Sequence, residues 1–153
     1  TTRLCLEAFL QHCQELPDRA RLLDFGAGTG VLALGALAAG GKEKKISAWA
    51  VESDLDALSQ CRKNVRLNRR KIACAPTLPK GKFDFVFANV LAPVLLRFRS
   101  DLVLRLGPGG LLVLSGILAE EAAAFAREFA GDEVFLVETR KEGDWAAIVW
   151  RRA

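Results

Sequence analysis

A chain of 153 residues with 51% hydrophobic content suits a single domain that buries roughly two-thirds of its unfolded surface. No run approaches the roughly 20 apolar residues that cross a bilayer, and no basic stretch followed by a hydrophobic block opens the chain, so a soluble, cytoplasmic protein is expected. The net charge of +4 permits contact with RNA, but the basic runs at Lys42 to Lys45 and Arg69 to Lys71 are short, and solvated loops explain them more simply. Cys5, Cys13, Cys61 and Cys74 form no C-x-x-C pair and His12 is the single histidine, which signals neither a metal site nor a disulfide framework. The absence of methionine fits a removed start residue or a piece of a longer chain.

Leu6, Phe9, Cys13 and Leu16 fall at helical spacing, with Thr1 or Thr2 as N-cap and Pro17 as the stop. His12 has no partner visible in the sequence and is read as a surface residue. Leu22, Leu23 and Phe25 form the short apolar run of a strand buried on both faces of a parallel sheet, and Val31 to Ala39 is rich in helix formers. Between them lies Asp24-Phe25-Gly26-Ala27-Gly28-Thr29-Gly30. Three glycines at a strand's carboxyl end can take positive φ and leave no Cβ between backbone and ligand. A dinucleotide loop wants G-x-G-x-x-G. Here the glycines fall as G-x-G-x-G, and Asp24 suits a cationic ligand group better than a pyrophosphate. The pattern resembles the first motif of class I S-adenosylmethionine (SAM) methyltransferases, in which the loop wraps the amino acid moiety of SAM.

Ile46 to Val51 reads as a second strand ending at Glu52, which lies 22 residues beyond Gly30. Nucleoside-binding folds place the acid that takes the ribose hydroxyls at roughly 20, and two carboxylate oxygens match a vicinal diol. Asp54 caps a helix whose buried side is Leu58, Cys61 and Val65. Ile72 to Ala75 is a weak third strand, followed by a rigid loop at Pro76 to Pro79. Many methyltransferases carry an acid here for the adenine amino group; this chain has none, which leaves backbone groups around Thr77 to hold adenine.

Lys82 to Ala88 is the clearest buried strand, and it runs into Asn89-Val90-Leu91-Ala92 beside the crevice. Pro93 opens one helix with Leu95, Phe98, Leu102 and Leu106 buried, stopped by Gly107 to Gly110. Leu111 to Gly116 is a further strand. Leu118, Ala122, Phe125 and Phe129 mark a helix with Glu120 and Glu121 in its first turn. Val134 to Thr139 and Trp145 to Trp150 close the chain as an antiparallel pair at the sheet edge.

Taken in order, Thr-Thr-Arg-Leu, Asp-Phe-Gly-Ala-Gly-Thr-Gly, Asn64 and Asn68, Phe-Asp-x-x-x-Ala-Asn-Val-Leu-Ala, Gly-Pro-Gly-Gly and Leu-Ser-Gly-Ile-Leu resemble ribosomal protein L-eleven methyltransferases over essentially the whole chain. The resemblance implies an α/β, Rossmann-like class I methyltransferase fold: a mostly parallel seven-stranded sheet with helices on both faces and an antiparallel C-terminal edge. It implies SAM as cofactor, held by Thr1, Thr2, Asp24, Gly26, Ala27, Gly28, Thr29, Gly30, Glu52, Ser53, Thr77 and Asn89. It further implies Asn89, Val90 and Leu91 as the substrate site, and lysine side chains or an N-terminal amine of a large-subunit ribosomal protein as the acceptor. In that family a separate N-terminal domain docks the ribosomal protein, so 1–153 is expected to be the catalytic domain alone.

The chemistry at Asn89 can also be read from general principles. Amine methyltransferases use an Asn and backbone carbonyls to accept hydrogen bonds from the attacking nitrogen. Base-directed enzymes add Pro-Pro and an aromatic ring for stacking, which Asn89-Val90-Leu91-Ala92 lacks, so an aliphatic amine is favoured over a base. An RNA or DNA methyltransferase, and a SAM-fold scaffold without turnover, remain the alternatives.

Overall fold

The computed structural model describes residues 1–40 and 44–153; Lys42, in the first basic run, lies outside the described residues. In chain order the elements are α1 (Thr2–His12), β1 (Arg19–Phe25), α2 (Val31–Gly40), β2 (Lys45–Val51), α3 (Leu55–Leu67), β3 (Ile72–Ala75), β4 (Phe83–Asn89), α4 (Ala92–Arg97), α5 (Arg99–Arg105), β5 (Leu106–Leu118), α6 (Ala122–Phe129), β6 (Val134–Glu142) and β7 (Trp145–Arg152). The strands make one seven-stranded sheet in the order β3-β2-β1-β4-β5-β7-β6. Strands β1 to β5 run parallel, and β7 lies antiparallel between β5 and β6. This is the α/β architecture expected from the sequence.

Strand residues alternate between two cores, as period-2 geometry requires. Leu22, Phe85, Phe87, Leu111 and Val113 pack under α1 and α2, where the Phe9 ring meets Phe85 edge-on at 5.2 Å. Leu23, Val86, Leu112, Leu114 and Ile148 pack on the other face, with Leu95, Leu102, Phe125 and Phe129 from α4, α5 and α6. Helices on both faces force the chain to switch direction between β1 and β4, the central neighbours, and a crevice opens above their carboxyl ends.

Three expectations need correction. The helix after Pro93 is two helices, broken at Phe98, which ends α4 and caps α5 with φ −95° and ψ 9°. Leu106 starts β5 instead of finishing that helix, and Gly107 to Gly110 bulge within the strand as pairing jumps from Phe83↔Leu106 to Phe85↔Leu111. Leu118 likewise closes β5, and Glu120 and Glu121 precede α6. His12 is not a surface residue. A short 3₁₀ turn at Cys13–Glu15 folds the chain back, so that the ring, 5% exposed, lies between Glu15, with Nδ1 2.5 Å from Oε1, and Glu138 of β6, with Nε2 3.1 Å from Oε1. A partner far along the chain has no local signature.

Candidate functional site

Gly26, Gly28 and Gly30 have φ of +69°, +53° and +84°, the left-handed region that side-chain-bearing residues avoid. Space separates their roles. A Cβ on Gly26 would stand 2.4 Å from Cγ1 of Val90, and one on Gly30 2.7 Å from the Cys61 sulfur, whereas one on Gly28 would meet nothing within 4 Å. The outer glycines therefore seat the loop on its neighbours, and the middle one faces open space.

Most of the loop's amides already have acceptors. Gly26 and Ala27 both donate to the Val51 carbonyl at 2.9 Å, and Gly30 donates to Ala27 at 2.8 Å. Gly28 donates to Glu52 Oε2 at 2.9 Å, while Oε1 accepts from the Asp54 amide at 2.9 Å. Glu52 is thus fixed on both oxygens and keeps its further lone pairs for a ligand. Asn64, on α3, donates to the Thr29 carbonyl at 2.9 Å and ties the loop to that helix.

Asp24 sits below the loop, 1% exposed. Its Oδ2 accepts from the Ala33 amide at 3.0 Å, fastening α2 to β1, and Oδ1 has no hydrogen-bond partner among the described residues. Burial pushes its carboxyl up to about 7; the Ala33 hydrogen bond opposes this and the Glu52 charge adds to it. Because the folded state holds this proton and the unfolded chain, with a carboxyl near 3.9, does not, Asp24 favours folding at low pH and loses that contribution as pH rises through about 7. The expected result is that ligand-free Asp24→Asn loses less thermal stability than wild type between pH 5 and 8. Parallel melting curves check it; superimposable pH dependence would refute the shift.

Gly26, Glu52, Ser53, Thr77 and Val90 all border one cavity of about 350 Å³ above the sheet. Its other walls are Phe25, Leu78, Val94 and Phe98, with the Phe25 and Phe98 rings 5.1 Å apart. Of these, Phe25 and Phe98 were read from the sequence only as core, and Leu78 only as part of a rigid loop. The signal that Phe98 does more is the helix break that turns it toward the crevice, and a break between two good helix segments leaves no mark in the hydrophobic pattern.

Asn89 ends β4, and its Nδ2 donates to Oγ1 of Thr1 at 3.3 Å, which leaves Oδ1 as the acceptor of the amide. The head of α1 and the end of β4 are thereby joined across 88 positions. Thr2 is half-buried in the first turn of α1, and Ala27 is buried against Ala50 and Cys61 instead of facing the cavity. The Val90 carbonyl lies against Gly116, whose Cβ would be 2.3 Å from it, and Leu91 is 67% exposed at the N-cap of α4. Among the described residues no group of His, Cys, Asp or Glu could hold a metal, and no helix is long and apolar enough to cross a membrane.

The sheet order, the antiparallel β7 and the glycine loop facing an acid at the end of β2 define a Rossmann-like fold of the class I methyltransferase type. A solved structure of ribosomal protein L11 methylase from Lactobacillus delbrueckii subsp. bulgaricus superposes with a TM-score of 0.84 at 23% identity, over 99% of this chain and 78% of that one. The model of the family described as "Ribosomal protein L11 methyltransferase (PrmA)" matches residues 1–153, and the chain belongs to that family. Ribosomal protein L11 methyltransferase of Pelobacter propionicus is 40% identical over 100% of this chain and 50% of its own length. That of Geobacter sulfurreducens is 37% identical over 99% of this chain and 49% of its own. The chain spans about half the length of these relatives.

Proposed function

We propose that residues 1–153 are the catalytic domain of a cytoplasmic, SAM-dependent methyltransferase acting on lysine or N-terminal amines of a large-subunit ribosomal protein. The observation that carries this reading is Asn89, held by Thr1 with an acceptor oxygen left over and adjacent in the chain to Val90 of the cavity wall, in a chain of this family.

The residues fit SAM. A 350 Å³ cavity lies in the usual range for small-ligand sites. The open space over Gly28 admits close approach, and the unpartnered oxygen of Asp24 would accept a hydrogen bond from an ammonium group, whose positive charge favours the ionised carboxylate over the protonated form that burial promotes. Thr29 and Gly30 hold the loop's shape, Glu52 takes the ribose hydroxyls, and Ser53 and Thr77 line the same wall. Phe25, Leu78, Val94 and Phe98 of the same wall would enclose adenine by apolar contact, beside the backbone around Thr77, in place of the missing acid. When bound, SAM supplies an electrophilic sulfonium methyl. The protein's part is alignment, and proximity alone can supply about 7 to 11 kcal/mol.

A lysine amine with a pKa near 10.4 loses its proton at pH 7 at a cost of about 4.6 kcal/mol. Desolvation in an apolar crevice beside a positive ligand lowers that cost, so no dedicated base is required of this chain. Asn89 Oδ1 accepts an N–H of the amine and orients its lone pair; Val90 and Leu91 shape the approach.

Transfer of labelled methyl from SAM into a cell lysate tests the reading: label should be released by protease and persist through nuclease. Label lost to nuclease would establish a base-directed enzyme, and no label a scaffold. Phe98→Ala is expected to weaken SAM binding about tenfold, since an aromatic pair and its buried area are lost. Calorimetry checks this, and unchanged affinity would remove Phe98 from the adenine wall.

A further inference from the structure

Two cysteines near the crevice have been given no chemistry of their own. Cys61 is wholly buried on α3, and Cys74 is half-buried on β3, an edge strand of the sheet. Their sulfurs lie 3.8 Å apart. Both elements lead into the crevice. The Cys61 sulfur supports the glycine loop at Gly30, where a Cβ would stand 2.7 Å from it. Cys74 is followed by Ala75, whose carbonyl accepts from the Glu52 amide at 3.1 Å, and then by Pro76 and Thr77 of the cavity wall. The remaining thiols, Cys5 and Cys13, are buried with α1 in a different core.

We propose that Cys61 and Cys74 are a modification site, forming a reversible disulfide on exposure to a hydroperoxide, and that this bond weakens ligand binding in the crevice. Its effect on affinity rests on the reading of that cavity as the SAM site; the bond itself does not.

Cys74, the more accessible sulfur, meets the oxidant. Its thiolate attacks the terminal peroxide oxygen, the O–O bond breaks, hydroxide departs from hydrogen peroxide (an alkoxide from an organic hydroperoxide) and a sulfenic acid forms. The Cys61 sulfur then attacks that of Cys74. The S–O bond breaks, the hydroxyl leaves as water with the Cys61 proton, and the S–S bond forms. Two thiols have given up two electrons and one hydroperoxide has taken them. Burial pushes the Cys61 thiol up to about 12, so it is a poor target for the oxidant and serves as the resolving partner. A disulfide requires about 2.05 Å between sulfurs. Closing from 3.8 Å turns Cys61 away from Gly30 and loosens the glycine loop that carries Gly26 of the cavity wall, or draws β3 toward α3 and shifts Pro76 and Thr77 of that wall.

The test is titration of the purified chain with hydrogen peroxide, followed by alkylation, peptide mapping and SAM calorimetry on the same sample. A cross-linked peptide pair containing Cys61 and Cys74 is expected, lighter by two hydrogens, with affinity about tenfold lower and both changes reversed by dithiothreitol. Cys74→Ser should form no cross-link and keep its affinity under peroxide. Cys61→Ser should stop at a sulfenic acid that dimedone traps at residue 74. Failure of the pair to cross-link, or a cross-linked protein with unchanged affinity, would overturn the proposal. Reduced protein that binds no SAM would refute the cofactor reading and, with it, the effect on affinity, while the peptide map still decides the bond.

Discussion

Asn89→Ala is expected to bind SAM with near wild-type affinity and to lose about 10²- to 10³-fold in kcat, the size of effect seen when one preorganised hydrogen-bonding group is removed from a reaction centre. The reasoning starts from position. Asn89 is the last residue of β4, paired in register with Ser115 of β5, so its backbone is fixed by the sheet. Its side chain is fixed by Thr1 at 3.3 Å. An amide held at both ends loses little entropy when an amine arrives, and its oxygen acts on the reacting nitrogen. The signature is a fall in kcat with little change in SAM affinity. Thr1→Val should give a smaller loss of the same kind, because the amide remains but its orientation is released. A fall confined to SAM affinity would remove Asn89 from the reaction centre.

Much of this arrangement was legible in the sequence, for identifiable reasons. The strand at Leu22 to Phe25 and the one at Phe83 to Asn89 are short apolar runs with no helical period, and the three glycines between strand and helix leave few other conformations. Glu52 was found by counting from Gly30, and it does face the loop. What the sequence concealed depends on contacts between distant segments. His12 is buried because Glu138 arrives from β6, and Thr1 reaches Asn89 only because α1 packs across the sheet. The loop was read as presenting bare backbone to a ligand, yet Val51, Ala27 and Glu52 already engage the amides of Gly26, Ala27, Gly28 and Gly30. The apolar wall was hidden for a different reason: Phe25 and Phe98 have the same identity whether they face the core or the crevice.

The role of Gly116 emerges only in three dimensions, and Gly116→Ala carries the largest expected structural effect. Gly116 occupies the irregularity in the β5 and β7 pairing between Ser115 and Ile117, with φ +85°. A Cβ there would lie 2.3 Å from the Val90 carbonyl oxygen and 2.8 Å from its carbon. Both are backbone atoms that cannot swing aside. Left-handed strain of about 1 to 2 kcal/mol adds to an overpacking cost of about 1 to 3 kcal/mol, so a fall in Tm of about 5 to 15 °C is expected at this chain length. Because the displaced atoms belong to the residue after Asn89, turnover should fall further than in a core variant of equal Tm. Gly26→Ala provides the control. Its Cβ meets the same residue, but at the side-chain atom Cγ1, 2.4 Å away. Adding Val90→Ala should therefore recover part of the stability lost in Gly26→Ala and none of that lost in Gly116→Ala. Equal recovery in both double variants would show that the Val90 side chain, and not its backbone, is what the two glycines accommodate.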